Sequence, residues 1–386
     1  MATTRINKGQ PLWLLFLVLF ALIAAACGGS DDDAASNDEA TTESDSGDDS
    51  ASEDDGTDDE TAGDDANTDD ETAGDDAATD SADDEPLRVA YLSASSANTW
   101  LLSSLAEMEK IAAAENVEIV EFDAQFDPSL QATQFQDVIA AGDYDGVILV
   151  SISGVASAPD IQAALDAGLE VVLLNQVVGE DFTTAEPQVD GVSASVMAPP
   201  FQNGKRLGQL TVQACADLDP CEVVYIYGIK GTPIDDALRA GLDEVLADHP
   251  AISVVAEGEG QYLGPEGGIN ATQDIIQIAP DFNVLVGADQ SVQGAEIVLG
   301  DEGKLDQVSL IGLGGSEPAI AGISSGAWFG GVFGAPGDEG RLAMEALMSA
   351  LTSGPDIGGV DPLGDLPDDG LITVDNVSSF TAQWAG

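Results

Sequence analysis

The sequence has few positive charges for its length. Its 386 residues include 10 Lys or Arg against 71 Asp or Glu, which gives a formal net charge of −61 at neutral pH. Residues 86–386 alone carry 45 acidic and 8 basic side chains. A protein that binds nucleic acid presents a basic face to the phosphates. The composition therefore excludes nucleic acid as a partner.

The sequence is also poor in residues that carry out catalysis. It has one histidine, His249, which lies in an Asp-His-Pro turn after a predicted helix. A zinc site with several histidines is therefore excluded, and a Ser-His-Asp triad would depend on a solvated loop residue. We find no candidate base, nucleophile or metal cluster and expect no enzyme, no metal and no cofactor. An exported enzyme built on the same scaffold stays open as the alternative.

Residues 31–85 lack Lys, Arg, Leu, Ile, Val and every aromatic residue, and they include 26 Asp or Glu. Such a segment has no apolar surface to bury and repels itself, so it favours an extended, disordered chain. An eleven-residue unit that starts at Thr57 is repeated from Thr68. We interpret residues 27–85 as an acidic spacer. Weak calcium binding by the aspartates is the alternative to a simple solvated linker.

Cysteine is scarce, and the first of the three, Cys27, follows a pattern typical of export. Arg5 and Lys8 precede an unbroken apolar run from Leu12 to Ala26. A basic start, an apolar core and small residues before the cut describe a secretory signal. A signal that ends on a cysteine resembles that of bacterial lipoproteins, although Ala24 stands where leucine is usual. We expect residues 1–26 to be removed, Cys27 to be lipidated, and the protein to be extracytoplasmic and anchored to the cell membrane.

An uncleaved membrane helix is the alternative interpretation of the apolar run. The run has about 15 residues, whereas a spanning helix needs roughly 20.

The other two cysteines, Cys215 and Cys221, are close in sequence. In an exported protein two such cysteines are expected to form a disulfide. It would join the end of a predicted helix to the next strand. A pair of reduced thiols is the alternative.

Residues 86–386 alternate between short apolar runs and segments of helical periodicity. Runs such as Arg88–Leu92 and Gly146–Val150 are nearly continuously apolar, as strands covered on both faces are. Segments such as 100–116 and 337–351 place apolar residues at helical spacing. The pattern restarts after about residue 200, which predicts two α/β units of similar size. We therefore expect parallel sheets with helices on both faces, and a ligand at the carboxyl ends of the strands.

Several segments of this region carry a family resemblance in their order and spacing. They are Asn98-Thr99-Trp100-Leu101, Asp123 to Pro128, Asp145 to Ser151, Gly168 to Asn175, Gly228 to Thr232, Arg239 to Leu242, Gly287 to Asp289 and Leu310 to Gly315. Together they resemble the type I periplasmic sugar-binding proteins, in the ribose-binding-protein branch. The resemblance spans residues 87–351.

The resemblance implies two Rossmann-like lobes joined by a three-segment hinge. It places residues 86–197 and 335–370 in an N-terminal lobe and residues 198–334 and 371–386 in a C-terminal lobe. Such a protein closes on a small ligand, here a sugar or a sugar-like molecule, and delivers it to the permease of an ABC transporter. We expect a monomer. A receptor that reports its ligand to a signalling partner is the alternative binding function.

The resemblance also selects candidate ligand-binding residues. They are Asn98, Trp100, Ser151, Asn175, Gln176, Asp236, Tyr262, Asp289 and Phe333. Helix capping by Asn98 and core packing by Trp100 are the structural alternatives.

At several positions the sequence departs from the family pattern. Asn175-Gln176 stands where the family has Asp-Arg, and Asp236 lies near the place of an arginine. Ala288 replaces an asparagine and Gly314 an aspartate. These changes remove charge-assisted hydrogen bonds. They predict a pocket that is larger, more apolar or built for a different ligand.

Overall fold

A computed structural model describes residues 85–354, 357–364 and 366–386. The strands are β1 (Leu87–Ser93), β2 (Val117–Asp123), β3 (Gly146–Leu149), β4 (Glu170–Leu174), β5 (Ala194–Val196), β6 (Cys221–Tyr227), β7 (Ile252–Glu259), β8 (Val284–Ala288), β9 (Ser309–Gly314), β10 (Gly330–Phe333), β11 (Gly358–Val360) and β12 (Leu371–Thr373). The helices are α1 (Thr99–Glu115), α2 (Pro128–Ala141), α3 (Ala158–Asp166), α4 (Pro200–Ala214), α5 (Pro233–Leu246), α6 (Pro265–Ile278), α7 (Asp289–Asp301), α8 (Glu317–Ser325) and α9 (Pro336–Ser353).

The predicted signal peptide, Cys27 and the spacer up to residue 84 lie outside the described residues.

The first sheet has the strand order β11-β5-β4-β3-β1-β2, and every neighbouring pair is parallel. Alternate residues of each strand face opposite sides, so both faces are apolar. Val89 and Ile148 pack with α1 and α9 on one face, whereas Leu92 and Val147 pack with α2 and α3 on the other. The double covering explains why the central strands β3 and β4 are almost continuously apolar in sequence. We call this sheet and its four helices the first lobe.

The second sheet has the order β12-β10-β9-β8-β6-β7 and is covered by α6, α7 and α8 on one face and by α4 and α5 on the other. It is parallel except for β12, which runs antiparallel to β10. We call this unit the second lobe. The predicted α/β class with parallel sheets is confirmed. The antiparallel edge strand and the three-residue strands β5 and β11 were not predicted, because such short runs carry no periodicity.

The chain passes between the two sheets three times among the described residues. It leaves the first sheet after β5, returns after β10 to form α9 against the first sheet, and leaves again after β11 to form β12. Each sheet is therefore built from segments that are distant in sequence.

Local signals define where the helices begin and end. The side chain of Asp127 accepts hydrogen bonds from the backbone N–H groups of Ser129 and Leu130 at the start of α2, and Pro128 occupies the first turn. Gly142 ends the same helix in the left-handed conformation, at φ 66°. Caps of this kind satisfy backbone groups that the helix leaves unpaired.

Cys215 and Cys221 are joined by a disulfide, with 5.7 Å between their Cα atoms. Cys215 caps the end of α4 and Cys221 begins β6. The bond ties a helix to the next strand, as the sequence predicted.

In the part of the chain that the structure describes, no helix is long and apolar enough to cross a lipid bilayer.

Candidate functional site

A cavity of about 160 Å³ lies where the carboxyl ends of the two sheets approach each other. Both lobes contribute to its wall. The residues that line it are Ala94, Asn98, Trp100, Leu101, Phe126, Val150, Asn175, Gln176, Ala198, Pro200, Asn203, Ile234, Leu238, Tyr262, Ala288, Gln290, Leu313, Phe333, Gly334, Ala335, Glu339, Leu363 and Trp384. Its position follows from the strand ends, because ligands of open α/β sheets bind beyond them.

The wall combines aromatic rings with uncharged hydrogen-bonding groups. It contains five aromatic side chains, five amide side chains, one carboxylate and, among the described lining residues, no basic side chain. Aromatic rings cover apolar C–H faces, and amides both donate to and accept from hydroxyl groups. A cavity of this size and lining fits a small, uncharged, hydroxyl-rich molecule, since pockets for drug-sized ligands measure about 300–1,000 Å³.

Asn98 has two roles at the edge of the first lobe. Its Oδ1 accepts a hydrogen bond of 3.1 Å from the backbone N–H of Leu101 and so caps α1. Its Nδ2 donates across the cleft to the carbonyl oxygen of Tyr262 at 3.1 Å. The residue is therefore both a helix cap and a bond between the lobes. The two interpretations of Asn98 from the sequence are not exclusive.

A carboxylate, that of Glu339, organises the first-lobe side of the cavity. Its Oε2 accepts hydrogen bonds from the indole Nε1 of Trp100 at 2.8 Å and from Nδ2 of Asn175 at 3.0 Å. Trp100 lies in the first turn of α1, Asn175 follows β4, and Glu339 lies in the first turn of α9. One acid thus fixes the orientation of side chains from three elements.

Burial raises the pKa of Glu339 to about 7, although the hydrogen bonds from Trp100 and Asn175 lower it. The nearby negative charge of Asp361 raises it as well. Glu339 is 2% exposed. Its carboxyl group can therefore change its protonation state near neutral pH inside the cavity.

Asn175 adopts a backbone conformation that suits asparagine. Its φ is 64°, in the left-handed region, which asparagine tolerates better than most residues. Its Oδ1 accepts a hydrogen bond of 2.9 Å from Nε2 of Gln176. The turn after β4 therefore presents two linked amides to the cavity, where the resemblance predicts polar side chains.

The second lobe supplies Tyr262, whose ring lies close against the backbone of Gly228. Its hydroxyl donates a 2.9 Å hydrogen bond to Oδ1 of Asp235. That carboxylate also accepts from the backbone N–H groups of Gly228 and Ile229 and from the hydroxyl of Thr232. Burial raises the pKa of Asp235 despite these hydrogen bonds. Asp235 thus holds the loop after β6 and the ring of Tyr262 in place.

Phe333 ends β10 and lies at the floor of the cavity, with its ring centroid 5.3 Å from that of Phe380. Gly334 follows it, and a Cβ atom there would lie 2.4 Å from the ring of Trp100. Glycine at this position lets the indole reach the cavity wall. Asn203 of α4, in the second lobe, also lines the cavity. Its Oδ1 accepts a hydrogen bond of 2.8 Å from Nη1 of Arg206.

Six of the nine predicted ligand-binding residues line the cavity. They are Asn98, Trp100, Asn175, Gln176, Tyr262 and Phe333.

The other three predicted residues do not line the cavity. The hydroxyl of Ser151 is buried 2.7 Å from that of Ser157. Asp236 is exposed in the first turn of α5, because its neighbour Asp235 occupies the inward position. Asp289 is fully buried, and its Oδ2 accepts from the backbone N–H of Ser316 at 2.7 Å. Burial raises the pKa of Asp289 to about 6.

Five polar or aromatic residues of the wall were missed in the sequence. They are Phe126, Asn203, Gln290, Glu339 and Trp384. Gln290 directly follows Asp289, so the residue that lines the cavity is one position after the predicted one. Glu339 lies in the first turn of α9 and Trp384 lies eleven residues after the end of β12, and neither position belongs to the motifs that carried the resemblance.

Comparison with known proteins agrees with this architecture. The family model described as a periplasmic binding protein domain matches residues 89–355. A xylitol-binding protein of Mycolicibacterium smegmatis is 26% identical over 274 residues, which cover 70% of this chain and 72% of that protein. A ribose import binding protein of Bacillus subtilis is 24% identical over 262 residues, or 67% of this chain and 80% of that one.

Solved structures share the fold. An ABC transporter solute-binding protein of Mycobacterium smegmatis, solved with bound glycerol, has a TM-score of 0.66 and 21% identity and covers 78% of this chain and 99% of that chain. A myo-inositol-binding protein of Caulobacter, bound to myo-inositol, also has a TM-score of 0.66 and 21% identity. It covers 77% of this chain and 96% of that chain.

Proposed function

Because the chain belongs to the periplasmic binding protein domain family, we propose that it is an extracytoplasmic solute-binding protein of an ABC importer. Its two lobes close on a sugar or polyol in the cavity between them. A solute that touches both lobes binds the closed state better than the open one, and that difference drives closure. The protein acts without catalysis of its own.

The lining of the cavity carries this proposal. Five aromatic side chains and five amides surround a space with one carboxylate and, among the described lining residues, no basic group. A carboxylate or phosphate on the solute would be desolvated there without a cationic partner, which is costly. The cavity therefore favours an uncharged solute over an anionic one. The names of relatives, one for xylitol and one for ribose, support the same class.

We assign direct contacts with the solute to Asn98, Trp100, Asn175, Gln176, Tyr262 and Phe333, and we add Glu339. Trp100 and Phe333 cover the carbon skeleton, and the amides pair with hydroxyl groups. The lobes that close are residues 86–197 with 335–370, and residues 198–334 with 371–386. The three passages of the chain between the sheets support the division into two lobes.

Identification of the solute tests this function. The purified protein is denatured, and the released small molecules are identified by mass spectrometry. Sugars and polyols are then titrated while tryptophan fluorescence is followed. We expect saturable binding of at least one uncharged polyhydroxylated solute. Absence of saturable binding across pentoses, hexoses, pentitols and inositols would overturn the proposal.

We further propose that a lipid on Cys27 anchors the protein, as a monomer, and that the acidic spacer separates the binding lobes from the membrane. The sequence before and after Cys27 supports this anchoring. Tethering raises the effective concentration of the protein near a permease. The variant Cys27→Ser is expected to leave the membrane fraction, with unchanged solute affinity. Retention of this variant in the membrane would contradict lipid anchoring.

A further inference from the structure

The segment after β12 runs from the second lobe into the cleft and touches both lobes. We call residues 380–386 the bridging segment. It is continuous with the second lobe through β12, and Phe380 packs against Phe333. Further along the segment, Trp384 is 5% exposed and lines the cavity. No motif in the sequence drew attention to it.

Two hydrogen bonds hold the bridging segment to the second lobe. The indole Nε1 of Trp384 donates to the carbonyl oxygen of Gly314 at 2.7 Å. The backbone N–H of Glu317 donates to the carbonyl oxygen of Trp384 at 3.0 Å. Gly314 has φ 147°, and a Cβ atom there would lie 2.6 Å from the indole ring. The end of β9 is thus shaped to receive this ring.

Four hydrogen bonds join the same segment to the first lobe. The hydroxyl of Ser103 donates to the carbonyl oxygen of Gln383 at 2.6 Å, and that of Thr99 donates to the carbonyl oxygen of Gly386 at 3.0 Å. Nε2 of Gln383 donates to Oδ2 of Asp338 at 2.6 Å, and its Oε1 accepts from the backbone N–H of Asp338 at 2.9 Å. The side chain of Gln383 therefore forms a pair of hydrogen bonds with Asp338 in the first turn of α9.

The indole ring of Trp384 also contacts both lobes. The centroid of Trp384 lies 5.3 Å from that of Trp100, with an angle of 66° between the ring planes. This edge-to-face geometry is favourable for aromatic pairs. Trp100 is itself oriented by Glu339. Trp384 thus completes a wall that begins in the first lobe.

We propose that residues 383–386 form a latch that puts Trp384 in contact with the solute when the lobes are closed and slows the release of the solute. This proposal rests on the proposed solute-binding function. When the lobes separate, the segment stays with the second lobe, to which it is covalently continuous. The contacts with Thr99, Ser103 and Asp338 must then break.

The experiment measures the distance between the lobes as well as solute release. Spin labels are attached in the full chain at Val155→Cys and Leu263→Cys, whose side chains are exposed and follow β3 and β7. Double electron–electron resonance spectroscopy then gives the distribution of distances between the two labels. Gln383→Ala is expected to move this distribution to longer distances. In stopped-flow experiments with xylitol and with myo-inositol, the Gln383→Ala variant should release the bound solute about tenfold faster than the wild type.

Trp328 provides a matched control. Its indole Nε1 donates to Oε2 of Glu296 at 2.7 Å within the second lobe, and the side chain is 1% exposed. Trp328→Phe and Trp384→Phe each remove one indole N–H group and keep an aromatic ring. The Trp384 variant should open the lobes and speed release, whereas the Trp328 variant should leave the inter-lobe distance unchanged.

A double-mutant cycle separates a latch from general loss of structure. Gln383→Ala removes both hydrogen bonds with Asp338, whereas Asp338→Ala removes only the one to its carboxylate. The double variant should therefore open the lobes no further than Gln383→Ala alone. Additive effects, or a wild-type distance and release rate in Gln383→Ala, would overturn the latch. If Gln383→Ala opens the lobes but no probe binds the wild type, the latch stands and the proposed solute class fails.

Discussion

In the first lobe a buried carboxylate, that of Glu339, faces the cavity, whereas in the second lobe those of Asp235 and Asp289 point into their own lobe. Asp235 accepts hydrogen bonds from two backbone N–H groups, a threonine and a tyrosine. Asp289 accepts from the backbone N–H of Ser316. Glu339 instead accepts from Trp100 and Asn175, which line the cavity. The second-lobe acids hold loops in place, and the first-lobe acid holds side chains that line the cavity.

The largest expected effect is on stability in the second lobe. Asp235→Ala removes an acceptor from four donors, of which the Thr232 hydroxyl keeps the carbonyl oxygen of Ile229. Each of the other three loses its partner, and a buried polar group without a partner costs about 1–3 kcal/mol. We expect the free energy of unfolding to fall by about 3–4 kcal/mol in urea titrations followed by circular dichroism. Asp236→Ala is the matched control, since its exposed side chain should change stability by less than about 0.5 kcal/mol. Equal effects of the two variants would contradict the assigned role of Asp235.

The second prediction concerns the pH dependence that Glu339 contributes. Its pKa is about 7 in the folded protein and 4.5 when unperturbed. Between these values the folded state binds more protons than the unfolded state, so stability falls as the pH rises. This contribution is fully present below pH 4.5 and is lost through pH 7. A shift of this size corresponds to about 3 kcal/mol.

Urea titrations from pH 4 to pH 8 check this contribution. Glu339→Gln should flatten the decline between pH 4.5 and pH 7. The part that Asp289 contributes, between its unperturbed pKa of 3.8 and about 6, should remain. An identical slope in the wild type and in Glu339→Gln would show that Glu339 is ionised throughout this range.

The third prediction tests whether the first-lobe wall binds the solute. Trp100→Ala should weaken binding by more than about 1 kcal/mol, because it removes a ring that covers the solute and a donor to Glu339. Calorimetric titration with the solute identified by mass spectrometry measures the change. Trp328→Phe should keep wild-type affinity. Unchanged affinity in Trp100→Ala would assign this ring to core packing.

The smallest effect is expected at Ser151, a residue that the resemblance selected but that does not line the cavity. Its hydroxyl is paired with that of Ser157. Ser151→Ala should leave solute affinity within about twofold, and it should cost about 1 kcal/mol of stability for the lost hydrogen bond. A clear loss of affinity would bring Ser151 back into the site.

Much of the fold was predictable because the central strands are apolar on both faces and because α1, α2 and α8 have side-chain caps. The predicted strand 88–92 and helix 100–116 correspond to β1 (Leu87–Ser93) and α1 (Thr99–Glu115). The three-residue strands β5, β11 and β12 were not predictable, because pairing with distant strands, rather than local pattern, defines them.

The site was predictable only where it follows a strand end. Asn98, Asn175 and Tyr262 each come shortly after a strand of the sheet. Asp235 and Asp236 illustrate the limit, because adjacent residues at a helix start face opposite directions and the sequence does not distinguish them. Trp384 reaches the cavity through a segment that bridges both lobes, which only the three-dimensional arrangement reveals.

Paired calorimetric titrations test the central claim, that the cavity between the lobes takes an uncharged polyhydroxylated solute, most directly. Xylitol is compared with xylonate, and ribose with ribose 5-phosphate, so that each pair differs by a charged group. We predict that any member that binds is the uncharged one and that its anionic partner binds at least about a hundredfold more weakly. Equal or tighter binding of the anion would contradict the account.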